Sequence, residues 1–492
     1  MRQRQPRLSA ARAKFAGTRR FIPALGGLCL VQSLSACVVG YEKPDVALEI
    51  PDRYSAARHS PDAALPALDW WRGFRSRELT GLVEQAQAGN LDIAAAVARI
   101  IQADAQVRIA GAPLLPVVDF NGSGTRSRAS TATGSARSGG SVTGSLYNVN
   151  LNASYEIDFW GKNRATLLSS EQLAAASRYD RDVVALSTVA TVINTYFQVL
   201  ESQDRLRIAR DNYAAANRIL GLIRQRFLVG TASQLDVAQQ ESLVATQRAA
   251  IPPLEITLRQ SIAALAVLVG RAPESLTVRG GSMSAIRVPP VTPGIPSDLL
   301  TQRPDIREAE AQLAAANYSV EAARAAFFPS IQLTGQTGFQ SAALSALFGP
   351  GAWYYMMAAS LAQPVFDGFL RLGQLELQKG RQQELLQLYR KAVISAFSDV
   401  EQALIALEQE TLRERLQTDV VRAARQAFQL SEQRLREGTI DLVTVLTTQQ
   451  TLFQSQDTLA QVRFARLQAA VGLFQALGGG WPPVEGGKPG DH

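Results

Sequence analysis

The side chains that carry chemistry in enzymes are scarce in this 492-residue chain and never grouped. Its two histidines, His59 and His492, fall in tails, so an acid, base or metal site built on imidazole has no partners to draw on. Acid pairs such as Asp399 and Glu401 sit in a helical run and read as a solvated face. The glycines at Gly478 to Gly480 follow a helix rather than a strand, so they do not cradle a phosphate, and no Walker-type loop occurs elsewhere. The sequence is that of a protein without catalysis, metal or dissociable cofactor.

One reactive side chain remains. Leu34-Ser35-Ala36-Cys37 resembles the lipobox of a bacterial lipoprotein, in which the new N-terminal cysteine receives diacylglycerol on sulfur and a fatty acid on its amine. It follows a basic region (Arg2, Arg4, Arg7, Arg12, Lys14, Arg19 and Arg20) and the apolar run from Phe21 to Leu34. That run is short for a transmembrane helix, which needs about 20 apolar residues. Each buried acyl methylene contributes about 0.8 kcal/mol, so several chains on Cys37 would anchor the protein firmly to a membrane. The leader holds seven basic residues and no acid, which accounts for the whole formal charge of +7. The mature chain is therefore neutral, and a nucleic-acid partner is not indicated. Cys29 leaves with the leader, so no disulfide can form within the mature chain.

The rest of the sequence is long helices and a few strands. From Gly161 to Gly230 apolar residues recur at spacings of three and four, as in Tyr213, Ala216, Leu220, Ile223 and Phe227. A second such run carries Phe397, Val400, Leu404 and Leu407. Each ends in a similar turn, at Gly230-Thr231 and at Gly438-Thr439, where glycine can close a helix in the left-handed conformation. Each glycine thus marks a tip between antiparallel helices, the first returning towards Pro252-Pro253 and followed by an apolar helix from Ile262 to Val269. A helix spans Glu78 to Gly111 with a break or cap at Asn90-Leu91-Asp92.

Strict alternation from Tyr147 to Phe159 predicts a strand with one apolar and one polar face, paired with Val117 to Arg126 through an exposed Ser/Gly/Thr-rich loop. Further strands are expected at Ser330 to Gln340 and Trp353 to Phe366. The halves repeat at a shift of about 210 residues: Asp305-Ile306 answers Asp92-Ile93, Phe328-Pro329 answers Leu115-Pro116, and Gly438 answers Gly230. The expected organisation is a signal peptide over 1–36, a lipidated extended segment over 37–76, a first repeat over 77–285, a second over 286–480, and a disordered tail over 481–492.

Two hairpins supply four amphipathic strands, and four cannot close a barrel in lipid, where an open edge leaves backbone groups unpaired. Three copies would supply enough strands, giving a trimeric 12-stranded barrel continued by an α-helical tunnel. On Tyr155-Glu156-Ile157-Asp158-Phe159-Trp160-Gly161, Pro293-Gly294-Ile295-Pro296-Ser297-Asp298-Leu299-Leu300, Arg303-Pro304-Asp305-Ile306, Gln363-Pro364-Val365-Phe366-Asp367-Gly368 and the two tips, the chain resembles the TolC-like outer membrane factors, in their lipoprotein branch. The resemblance implies a homotrimeric outer membrane channel-tunnel of a tripartite efflux system. It would be fed by an inner-membrane transporter of the resistance-nodulation-division type through a periplasmic adaptor. It also implies adaptor contact at Gly230, Thr231, Gly438 and Thr439, and a periplasmic aperture just beyond. There Asp236 fits the acidic position of the first repeat, while Thr444 and Thr447 replace acids in the second and Val443 offers an apolar collar. The alternatives are a lipid-anchored periplasmic coiled-coil scaffold, which would have no use for half-apolar strands, and the outer component of an ATP-driven secretion system. For Asp236 the plain alternative is a solvated residue at a helix start, where aspartate is favoured.

Overall fold

The computed structural model describes residues 48, 51, 54–55, 66–128, 130, 143–291, 296–479 and 481. The leader, Cys37, both histidines, Pro293-Gly294-Ile295, the loop over 131–142 and the tail beyond 481 lie outside the described residues.

Two helices, α1 (Arg77–Gly89) and α2 (Leu91–Gly111), meet at Asn90. The Asn90 side chain accepts hydrogen bonds from the backbone N–H groups of Asp92 and Ile93, ending one helix and capping the next. Strands β1 (Val117–Arg128) and β2 (Thr143–Ile157) follow, then α3 (Lys162–Leu228), α4 (Gln234–Ala249) and α5 (Ile251–Leu268). After an irregular crossing, the second repeat runs through α6 (Pro304–Ala325), β3 (Ser330–Ser341), β4 (Trp353–Ala362), α7 (Leu370–Glu437) and α8 (Leu442–Ala476).

At 67 residues α3 is about 100 Å long, at ~1.5 Å per residue. It packs against α1, α2, α4, α5, α6 and α8, and so links both repeats. Its counterpart α7 has 68 residues. Stretches of α3 and of α4–α5 are long and apolar enough to cross a membrane by length and composition alone; in α3 that stretch is 50% buried inside the fold. Four clusters hold the helices, the smallest being Leu313 and Ala316 of α6 against Leu385 and Leu386 of α7. Trp70, Trp71 and Phe74 enter the largest, with Phe197 of α3 and Phe474 of α8, and Trp70 stacks on Phe474 at 4.6 Å. Ile306, Val393, Val400 and Leu473 form a second. The third lies at the hairpin tips and contains Ala216, Leu220 and Ile223, whereas Phe227 at the end of the same seam is exposed.

Several expectations change, among them the end of β2, which stops at Ile157 rather than Phe159 because Asp158 turns to cap α3. The return helix of the first repeat does not end at Pro252-Pro253: after a joint at Ala250 the prolines occupy the first turn of α5, where their missing N–H groups have no helical partner to lose. The helix expected from Ile262 is the end of that same α5. Strand β4 stops at Ala362 rather than Phe366, because Pro364 cannot donate to a ladder.

Candidate functional site: paired tips and a two-faced sheet

The two tips are built alike. Gly230 has φ 78° and Gly438 φ 77°, both left-handed. At the first, the N–H of Thr231 donates to the Arg226 carbonyl at 2.9 Å; at the second, Thr439 donates to Arg434 at 3.0 Å. Each threonine hydroxyl also donates to that same carbonyl, at 3.1 and 3.2 Å. The hydroxyls expected to face a partner thus brace their own turns and keep only acceptor capacity. The tips lie side by side, since Arg226 Nη1 donates to the Leu435 carbonyl at 2.7 Å.

Past each tip a capped helix begins. Ser233 accepts from the Asp236 N–H at 3.2 Å, and the Asp236 carboxylate accepts from the Ser233 N–H at 2.7 Å, a reciprocal box that commits Asp236 to the start of α4. In the second repeat Asp441 occupies the slot of Ser233 and accepts from the Thr444 N–H at 2.8 Å. Hydrogen bonds from Thr444 hold the Asp441 carboxyl below the usual carboxylate range. Each repeat therefore carries one acid here, at exchanged positions. Sequence reasoning named Asp236 but missed Asp441, whose signal was an aspartate three residues after the tip glycine. Val443, Thr444 and Thr447 are exposed, and the Thr447 hydroxyl donates to the Val443 carbonyl.

At the other end, strand order is β1-β2-β3-β4 with every pair antiparallel, so β2–β3 joins the repeats and no strand among the described residues covers the outer edges of β1 and β4. The register separates two faces. Phe120 lies opposite Leu151, and Tyr155 opposite Leu333, which faces Ala359. The other face sets Asn148, Asn150 and Asn152 against Gln340, Gly338 and Gln336. Asn150 Nδ2 donates to Asn148 Oδ1 at 2.9 Å and to the Tyr354 hydroxyl at 3.3 Å. Gly338 makes this possible: a Cβ there would meet the Val149 carbonyl oxygen at 2.2 Å.

Between sheet and helices, the motif from Tyr155 to Gly161 is structural. The Asp158 carboxylate accepts from the Asn163 and Arg164 N–H groups at 2.9 and 2.8 Å, capping α3, while Trp160 stacks on Phe328 at 4.5 Å and donates to the Pro329 carbonyl. Glu156 pairs with Lys162 at 2.6 Å. Asp367 plays the capping part for α7 and pairs with Arg371 at 3.1 Å.

This geometry has known counterparts. The family model described as "Outer membrane efflux protein" matches residues 82–271 and 295–479. The chain is 40% identical over 461 residues to the pyoverdine export outer membrane protein OpmQ of Pseudomonas putida, covering 92% of this chain and 97% of the relative. It is 30% identical over 453 residues to the probable outer membrane lipoprotein SilC of Salmonella typhimurium, covering 90% and 94%. The outer-membrane channel OprN superposes with a TM-score of 0.84 at 28% identity, covering 90% of this chain and 98% of that one.

Proposed function

This chain belongs to the outer membrane efflux protein family, and we propose that three copies of it join edge to edge into one closed barrel continued by a helical tunnel. It is an outer membrane efflux channel. The observation that carries the trimer is the open sheet. Unpaired backbone groups cost several kcal/mol each in lipid, and β4 of one copy beside β1 of the next removes both edges at once. With four strands per chain, three copies supply twelve.

In this reading the apolar face meets lipid and the amide face lines the lumen. The paired tips at Gly230-Thr231 and Gly438-Thr439 receive a periplasmic adaptor, which brings an inner-membrane transporter of the resistance-nodulation-division type. Asp236 and Asp441 ring the periplasmic aperture together, with Val443 as an apolar collar and Thr444 and Thr447 lining the wall beyond it. Acyl chains on Cys37 add an anchor, a reading supported by the lipoprotein name of SilC. The duct works passively and without catalysis, so the pump below it chooses the solute; the name of OpmQ makes pyoverdine export the first activity to assay.

Reconstitution tests this. The detergent-extracted protein should run as a trimer and conduct ions in planar bilayers. A Cys37→Ala protein that is a water-soluble monomer without β-structure in its circular dichroism spectrum would overturn it.

A further inference from the structure

The four strands carry four charged side chains: Asp119, Arg126, Arg128 and Glu156. Arg126 and Arg128 stand at the loop end of β1, on the face of Phe120. Asp119 lies opposite Asn152 on the amide face, and Glu156 shares that face four residues along β2. Glu156 is neutralised by Lys162 Nζ at 2.6 Å. Asp119 is exposed and has no ion-pair or hydrogen-bonding partner among the described residues.

Resting on the closed-barrel reading above, the geometry points to Asp119 as the residue that sets the charge preference of the barrel lumen, favouring cations and the cationic groups of solutes over anions. Closure does not cancel it. Strand β4, the partner of β1 in the assembly, contains no basic residue, so a neighbouring copy brings no cation against Asp119 in any register. The repeat does not double it either. The second residue of β1 after Val117 is Asp119, and the second of β3 after Ser330 is Gln332, a neutral amide. The lumen would therefore hold one carboxylate per chain, spaced around a threefold axis, in a wall whose other strand residues are uncharged apart from one internally balanced pair. Rings of carboxylates favour cation passage, and walls of low dielectric focus their field.

The test is the reversal potential of single channels in planar bilayers across a KCl gradient. It is run at low salt because the Debye length is only about 10 Å at 0.1 M. The parent channel should prefer potassium. Asp119→Asn should move the reversal potential part of the way towards zero, the remainder being carried by Asp236 and Asp441 at the aperture. The double variant Glu156→Gln/Lys162→Gln, which removes a balanced pair, should leave it in place. Gln332→Asp, which adds a second ring, should strengthen it. A reversal potential unchanged by Asp119→Asn overturns the assignment and moves the preference to the tips, where Asp236 and Asp441 lie. A parent protein that never conducts overturns the channel reading itself, and the assignment with it.

Discussion

A single left-handed glycine turns the chain at each tip, and the space around it is empty. A Cβ at Gly230 or Gly438 would meet nothing within 4 Å, so a side chain there costs only the left-handed backbone, about 1–2 kcal/mol. The cluster beneath the tips can absorb that. Gly438→Leu should therefore leave trimer yield intact while abolishing export through the assembled pump; unchanged export would remove the tip from the proposed adaptor contact. Tyr196 makes a different residue-scale prediction. Its hydroxyl lies 3.2 Å from both Ser76 Oγ and Glu78 Oε2, and burial, reinforced by the Glu78 charge, pushes its pKa up to about 12 against the Ser76 hydrogen bond. The folded protein thus holds this proton more tightly than the unfolded chain, whose tyrosines titrate near 10. The resulting stability is complete below about pH 10 and is lost as pH rises through about 12. Tyr196→Phe should cost about 1 kcal/mol at neutral pH and erase that alkaline step in denaturant midpoints.

Elements were legible where one periodicity settles them. The spacing of Ala216, Leu220 and Ile223 reported a buried seam, the alternation from Tyr147 reported two faces, and the constant shift between halves reported the duplication. What stayed hidden depends on cross-chain register or on capping. Nothing local reveals that Asn148 and Asn150 meet Tyr354, because β2 and β4 touch only across β3. Asp441 was passed over because the repeats exchange acid and hydroxyl between two capping slots. Two element-scale tests follow from packing. Gly338→Ala should depress channel yield sharply, since its Cβ would collide with the Val149 carbonyl where the repeats join, whereas Gly335→Ala, with open space around it, should be tolerated. On α8, Gln449 is fully buried between Val445 and Leu452 with neither amide atom partnered. An unpartnered buried polar group costs about 1–3 kcal/mol, so Gln449→Leu should raise the denaturation midpoint by a comparable amount; a lower midpoint would mean the amide is satisfied in the assembly.

For the whole molecule, apolar surface and unpaired backbone argue together. Val118, Phe120, Leu151, Tyr155, Met357 and Leu361 share one face of a sheet that is four strands wide among the described residues, with no described strand on either outer edge. A soluble monomer would expose that face to water, and a lone sheet in lipid would strand its edges. Copies of the same chain pair the edges, and the closed barrel can then place its apolar face in lipid, whereas the helices alone would need no such partner. The acylation of Cys37 that we propose would then add to membrane residence rather than cause it. A Cys37→Ser protein directed to the periplasm by a non-lipoprotein signal should still fractionate with the outer membrane. It should still migrate as a trimer before heating and still conduct. Release of that variant into the soluble fraction as a monomer would show that acyl chains, not the barrel, hold this protein in the membrane.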